Sequence, residues 1–437
     1  MQNILLLGAG LVTRPLVNYL LDKGYHLVNA SRTLSKAQAL VGDHPNAEAI
    51  QLNVQDSEAL ERLVKDADVV ISLLPYTHHV KVARLCIKHQ VHFVSTSYVS
   101  AEMAALDEDA RKAGIVVLNE LGVDPGIDHM SAMKIIDWVH GQGGSIKSFR
   151  SYCGGLPAPE ANDNPFGYKF SWSPIGVLLA GTNDARYKED GKIVEIPGKE
   201  LFSHYKILNV EGLGELEGYP NRDSVPYIDT YGIQETDTCF RGTYRNKGWC
   251  DTLKAMGDLG ILDKTEKDFT GKTLAQIMTE YVGGDAGSVR ASAAAKLGMK
   301  ADDAVLDRLE WLGLFSDTTT KVEKGSMLEV LADVMMAKMP YKPGERDMIV
   351  LTHDFIAELP TGKKHITSTL IDYGIPNGDT SMARTVSLPA AIGTHMILQG
   401  KITRPGVCIP VAADIYEPIL AELETLDIRC VEKYEDL

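Results

Sequence analysis

The chain has few cysteines: Cys86, Cys153, Cys239, Cys250, Cys408 and Cys430, six in 437 residues and none in a C-x-x-C pair. That scarcity disfavours a disulfide scaffold or a zinc ribbon. Basic residues are also short, 44 Lys and Arg against 59 Asp and Glu for a formal net charge of −15, so a surface that gathers nucleic-acid phosphates is not expected. No run reaches the roughly 18 uncharged apolar residues of a membrane span. The apolar run Ile4 to Val12, broken by Gly8 and Gly10 and preceded by no Lys or Arg, reads as a buried strand rather than a signal peptide. The expectation is a reduced, soluble, cytoplasmic protein. At roughly 150 residues per domain the length suggests about three structural units, and 44% apolar with 24% charged residues is the usage of a chain that buries a sizeable core.

Between Asn3 and Asn119 short apolar runs alternate with helical patterns: Ile4 to Leu7, His26 to Ala30, Ala49 to Val54, Val69 to Leu74, Val91 to Ser95 and Ile115 to Leu118. Six strands separated by helices predict a doubly wound parallel sheet of the Rossmann type, an α/β fold. After Asp124-Pro125-Gly126 the pattern changes to a helix over about His129 to His140, an alternating strand Ile146 to Tyr152 and a Gly-, Pro- and Asn-rich loop from Gly154 to Gly167, a length that marks functional or mobile loops. Residues 251–340 are mainly helical. The runs Asp347 to Leu359 and His365 to Tyr373 flank Pro360-Thr-Gly-Lys363, a hairpin signal. A helical pattern from Met382 to Leu398 is interrupted at Pro389, and a last helix is expected around Tyr416 to Leu426. The domains expected are 1–124 for the nucleotide, with about 390–437 packing back on it; 125–250 with 341–389 as an α/β substrate and dimerisation domain; and 251–340 as a helical subdomain.

The first strand ends in Gly8-Ala9-Gly10-Leu11-Val12-Thr13. Gly8 permits the tight turn and Gly10 lets a pyrophosphate approach the backbone at a helix start, although Thr13 replaces the third glycine. The second strand ends in Ser31-Arg32-Thr33 with no carboxylate. An arginine there suits the 2'-phosphate of NADP, through paired hydrogen bonds, better than the ribose hydroxyls of NAD. Leu74 to Thr77, Ser95 to Tyr98 and Gly122 to Gly126 end other strands on the same edge, where ligands of open α/β sheets bind. His78 and His79 are adjacent and share no helix face, and His129, His353 and His365 lack ligand spacing, so no metal site is expected. Cys153 has no local partner that marks a nucleophile and reads as a small buried thiol.

Several blocks resemble a known family, the NADP-linked, glutamate-forming saccharopine reductases. They are Gly8 to Pro15, Ser97 to Ser100, Asn119 to His129, Ser151 to Glu160, Asn164 to Ser173, Tyr219 to Ser224, Arg241 to Arg245 and Gly344 to Asp347. The resemblance covers essentially the whole chain. It implies NADPH-dependent condensation of L-glutamate with L-2-aminoadipate 6-semialdehyde to saccharopine, or the reverse oxidation, in lysine metabolism, by a homodimer. It also implies NADP(H) contacts at Gly8, Ala9, Gly10, Leu11, Val12, Ser31, Arg32, Thr33, Asn53, Val54, Leu74, Thr96, Ser97, Val123, Asp124, Pro125 and Ser173. Substrate contacts are implied at Ser97, Tyr98, Asp124, Arg222, Thr243, Tyr244 and Arg245, with Asp124 or Tyr98 shuttling protons. For Arg222 the plain alternative is a surface ion pair with Asp223. Asn53 and Tyr244 depart from the family pattern of Asp and Leu, and Tyr244 is expected to narrow or repolarise the substrate pocket. The competing readings are a carboxynorspermidine-type reductase, which joins a semialdehyde to a diamine and would not need paired arginines, and a non-catalytic NADP-binding scaffold.

Overall fold

The computed structural model describes residues 1–172, 174–180 and 183–437. It divides into two compact units, 1–146 with 356–437, and 147–355.

The first unit is built on a parallel sheet. Strands β1 (Asn3–Leu7), β2 (His26–Ser31), β3 (Ala47–Gln51), β4 (Val69–Ser72), β5 (His92–Ser95) and β6 (Val116–Leu118) alternate with helices that include α1 (Arg14–Asp22), α2 (Leu34–Val41), α3 (Ser57–Lys65) and α4 (His79–His89). The sheet order is β6-β5-β4-β1-β2-β3, so the chain switches direction between β1 and β4. Ile4, Leu5, Leu6 and Leu7 are all buried, as are Val69, Val70 and Ile71. Both faces are covered by helices, which is why these strands carry continuous apolar runs instead of alternation. Pro15 sits in the first turn of α1, where its missing N–H costs nothing.

A seventh parallel strand, Gly406–Cys408, pairs with β6 and was not expected. Helix Ile127–Gly141 belongs to this unit rather than to a domain starting at residue 125. It packs on helix Ala413–Thr425, with Tyr416 O–H donating to Asp137 at 2.6 Å. Residues 356–389 also fall in this unit, and strand Gly362–Tyr373 pairs antiparallel with Val431–Asp436. The helix expected to break at Pro389 runs unbroken from Ser381 to Leu398. Pro389 lies inside it among buried Ser387, Leu388 and Ala390, so packing on all sides overrides the local cost of the proline.

The second unit holds a mixed sheet. Strand Thr238–Arg245 runs parallel to Ser145–Pro157 on one side and antiparallel to Gly214–Pro220 on the other. The expected loop from Gly154 begins only after Pro157, because the strand continues through Gly154 and Gly155. Added methyl groups explain part of that sequence: a Cβ on Gly154 would lie 2.7 Å from the Tyr244 carbonyl oxygen. The helical stretch comprises Trp249–Leu259, Leu274–Val282, Val289–Leu297, Ala304–Leu312 and Met327–Lys338. Thr273 with Gln276 and Ser326 with Glu329 form reciprocal caps at two of these helix starts. Among the described residues no helix is long and apolar enough to cross a membrane.

Candidate active site

The crevice outside the carboxyl ends of β1 and β4 is where an open parallel sheet binds its ligand. Gly8 has φ +116° and donates its N–H to the Ala30 carbonyl at 2.9 Å. A Cβ there would lie 3.0 Å from the Leu73 carbonyl oxygen. Gly10 faces open space, with nothing within 4 Å of an added Cβ. Its N–H donates to Thr13 Oγ1 at 3.0 Å, so the residue in the third glycine position caps the turn. Leu11 beside it, and Tyr76 after β4, are each 74% exposed. Ala9 and Val12 are partly exposed.

Arg32 and Thr33 are exposed at the end of β2, immediately before α2, and Ser31 is half-buried. The Arg32 carbonyl accepts from Gln51 Nε2 at 3.1 Å, and among the described residues no carboxylate pairs with its guanidinium. A 2'-phosphate would therefore meet an arginine that carries no competing anion. Asn53 accepts Gln55 N–H at 3.1 Å, Val54 is buried and holds Lys81 Nζ through its carbonyl at 2.7 Å, and Leu74 and Thr96 are half-buried. Together with the space before Gly10, these residues fit NADP(H).

The ends of β5 and β6 are laced together. Tyr98 O–H donates to Asp124 Oδ1 at 2.9 Å, which joins the two residues expected to move protons. Val99 N–H donates to Glu120 Oε1 at 2.9 Å, and Glu120 Oε2 meets His129 Nε2 at 2.7 Å. Glu120 holds φ +60°, a conformation that side chains with a Cβ rarely adopt and that the surrounding bonds maintain. Val123 and Pro125 are buried and Asp124 is half-buried. His79 bridges Ser72 Oγ and Ser97 Oγ, at 2.9 Å each. Sequence reasoning assigned no role to Glu120, His129 or His79, because their partners are distant in the chain.

In the second unit Arg245 is 5% exposed. Its Nη1 donates to the Tyr244 carbonyl at 2.7 Å, while Nε has no hydrogen-bond partner. The guanidinium lies 5.0 Å from the Tyr168 ring and 5.5 Å from the Trp249 ring, a cation–π cage. Glu217 sits opposite Arg245 in the strand register, yet its carboxylate accepts the N–H groups of Gly248 and Cys250 at 2.6 and 2.8 Å. It caps helix Trp249–Leu259 and leaves Arg245 without a carboxylate among the described residues. A buried cation in that state is costly unless an anion arrives.

Arg222 is exposed and holds φ +57°. Asp223, its expected surface partner, pairs with Arg186 at 3.2 Å. Asn221 N–H bonds the Arg241 carbonyl, so the backbone next to Arg222 meets strand Thr238–Arg245 near its middle, four residues before Arg245. Thr243 is half-buried. Tyr244 points to the opposite face of the strand from Thr243 and Arg245, where its ring stacks on Tyr152 at 5.1 Å and its hydroxyl meets Thr352 Oγ1 at 2.8 Å. Its side chain thus joins a buried stack on that face. Ser173 lies outside the described residues. The loop after Pro157 is pinned: Lys169, 3% exposed, pairs with Asp163 and Glu345 at 2.7 Å each, Lys342 also pairs with Asp163, and Arg346 meets Glu160 at 2.6 Å. Tyr168 and Trp249, the walls of the cage, went unnoticed in the sequence.

A parallel sheet with an open glycine turn and, after β2, an arginine that pairs with no carboxylate among the described residues has the layout of a dinucleotide-dependent oxidoreductase. Two family descriptions match the chain: the saccharopine dehydrogenase NADP binding domain over residues 4–118, and the saccharopine dehydrogenase C-terminal domain over residues 122–428. The chain belongs to the saccharopine dehydrogenase family. It is 42% identical to saccharopine dehydrogenase [NADP(+), L-glutamate-forming] of Schizosaccharomyces pombe over 100% of both chains, and 42% identical to the protein of the same name from Saccharomyces cerevisiae over 97% of both. A solved structure of the apo, histidine-tagged Saccharomyces cerevisiae saccharopine dehydrogenase (L-Glu forming) superposes with a TM-score of 0.92 at 41% identity, covering 100% of each chain.

Proposed function

We propose that this chain catalyses the NADPH-dependent condensation of L-glutamate with L-2-aminoadipate 6-semialdehyde to saccharopine, or the reverse oxidation, in lysine metabolism. The single structural observation that carries the substrate class is Arg245, buried with an unpartnered Nε and no carboxylate among the described residues. Full-length identity of 42% to two NADP(+)-linked, L-glutamate-forming enzymes supports the reaction.

Bound NADPH would supply the hydride that reduces the imine carbon. The chain's own residues orient and protonate. Gly8, Gly10 and Thr13 shape the pyrophosphate turn, and Arg32 holds the 2'-phosphate. Arg245 and Arg222 hold separate carboxylates of the adduct. Condensation requires a proton to leave the glutamate ammonium and another to reach the departing water. The Tyr98 to Asp124 hydrogen bond gives a carboxylate that accepts a proton at Oδ1 and a phenol that relays it. A homodimer accompanies this reading through the family resemblance, and a cytoplasmic location through the sparse cysteines and the apolar first strand; sedimentation of the purified chain tests the dimer, and cell fractionation tests the compartment.

The test is NADPH consumption with glutamate plus aminoadipate semialdehyde, run against aspartate semialdehyde plus diaminopropane. Turnover with the first pair is expected. Preference for the second would reverse the assignment to a diamine-using reductase, and NADPH binding without oxidation of either pair would make the chain a scaffold. For the proton relay, Asp124→Asn should lower kcat and shift the pH profile; full turnover with an unchanged profile would reduce Asp124 to a binding contact.

A further inference from the structure

His79 is 4% exposed at the start of α4, and both ring nitrogens are engaged by hydroxyls. Nδ1 lies 2.9 Å from Ser72 Oγ, and Nε2 lies 2.9 Å from Ser97 Oγ. The Phe93 ring packs edge-on against the imidazole at 6.2 Å. Ser72 is fully buried at the end of β4, and its hydroxyl makes no other hydrogen bond among the described residues. This isolation decides the proton's place. If Nδ1 carried the proton, it would donate to Ser72 Oγ and leave the Ser72 hydroxyl proton buried with no acceptor, a costly state. With Nδ1 bare, Ser72 donates to it and is satisfied. The ring proton then sits on Nε2 and is donated to Ser97 Oγ. Burial holds the imidazole neutral, with its pKa pushed down to about 4, so both nitrogens cannot donate at neutral pH.

We propose that His79 is a positioning residue that sets the hydrogen-bond polarity of Ser97: by filling a Ser97 lone pair from Nε2, it leaves the Ser97 hydroxyl to act as a donor to a carboxylate of the acidic substrate. The inference rests on the reading above that Ser97 touches that substrate. Among the described residues the Ser97 hydroxyl makes no other hydrogen bond, and Ser97 is half-buried at the tip of β5. In the opposite tautomer the Ser97 proton would be spent on Nε2, and the oxygen would offer only lone pairs to an anion. The histidine therefore selects between a carboxylate and a cation at that position without touching either.

Two measurements test this. In the wild-type protein labelled with ¹⁵N-histidine, long-range proton–nitrogen correlation should show His79 as the neutral tautomer protonated at Nε2, with the signal assigned by its loss in His79→Gln. Protonation at Nδ1, or an imidazolium at pH 7, overturns the proposal, and this measurement needs no variant to fold stably. In steady-state kinetics His79→Asn, too short to reach Ser97, leaves the Ser97 hydroxyl free to turn away from the substrate and should raise KM for the acidic substrate several-fold, with kcat changed less than about twofold. His79→Gln, whose amide can reach Ser97, should recover part of that loss. Ser97→Ala, which removes the donor itself, should raise KM more, about tenfold for the loss of one charge-assisted hydrogen bond, and the His79→Asn/Ser97→Ala double variant should be no worse than Ser97→Ala alone. Wild-type KM in His79→Asn, alongside a raised KM in Ser97→Ala, refutes the role of His79 and leaves the substrate contact standing. Wild-type KM in Ser97→Ala removes the contact itself, and the inference falls with it.

Discussion

The edge of the parallel sheet and the Arg245 cage are built to hold charge in opposite settings, one open and one buried. At the sheet edge the proposed binding groups are backbone amides and an exposed arginine, open to water: Gly10 has nothing within 4 Å of an added Cβ, and Leu11 is 74% exposed. In the second unit the cation is 5% exposed, walled by Tyr168 and Trp249, and the carboxylate opposite it in the sheet is committed to a helix start. The first arrangement costs the folded protein little and gains specificity from geometry. The second holds an unneutralised charge in a low-dielectric setting, where an incoming carboxylate gains the most.

The sharpest way to break the contrast is Arg245→Met. Removing the partner of a desolvated carboxylate should lower kcat/KM for the acidic substrate on the order of 10²- to 10³-fold. Thermal stability should nevertheless stay level or rise, because an apolar side chain replaces a buried charge that lacks an ion pair among the described residues. A fall in melting temperature comparable with the fall in activity would show that Arg245 supports the fold, and the cage would lose its functional meaning.

Beneath the open edge lies one group that behaves like the buried cage. His79 is held neutral chiefly by burial, with a smaller effect from neighbouring His78, and its pKa falls from 6.5 to about 4. The folded state binds fewer protons than the unfolded state between those values, so the histidine's neutral burial is tolerated without penalty above pH 6.5. Stability is then lost as pH falls from 6.5 toward 4, by about 3 kcal/mol in the limit. Denaturant melts at pH 7 and pH 4.5 should show a smaller acid loss in His79→Asn than in the wild type. An equal loss in both would mean that other groups carry the acid sensitivity.

Next in size is Arg32→Ala, which should weaken NADPH about 10- to 100-fold and leave NADH and the melting temperature unchanged, since the side chain is exposed and has no ion pair among the described residues. Equal losses for the two nucleotides would remove the 2'-phosphate from the account.

These regions were not equally legible. Arg32 could be read from position alone, because β2 ends where an apolar run ends and the fingerprint fixes the register. The same local pattern revealed β1 to β6, whose burial on both faces leaves continuous apolar runs. Strand Gly406–Cys408 is three residues long and follows Pro405, too short to show a period. Pro389 signals a break that tertiary packing overrides. Arg245 was visible as a charge, but its burial was not: Tyr168 and Trp249 come from separate segments, and the diversion of Glu217 to a helix cap is a contact between residues 31 and 33 positions apart. For Tyr244, adjacency to Arg245 in sequence is no guide to a shared face, since neighbours along a strand point to opposite sides.

The smallest effect separates two glycines that the fingerprint treats alike. Gly8 holds φ +116° with a carbonyl 3.0 Å from any added Cβ, so Gly8→Ala should cost the fold on the order of 1–2 kcal/mol whether or not nucleotide is present. Gly10 carries no such conformation and faces open space, so Gly10→Ala should leave the melting temperature of the free protein within about a degree. Its methyl group would nevertheless stand where the pyrophosphate must approach the turn, and the NADPH dissociation constant should rise several-fold. Paired melts and nucleotide titrations of both variants decide it. If Gly10→Ala bound NADPH as tightly as the wild type, the open space before Gly10 would not be where the phosphates lie, and the contrast between an exposed, preformed edge and a buried, waiting cation would have to be redrawn around a different loop of the parallel sheet.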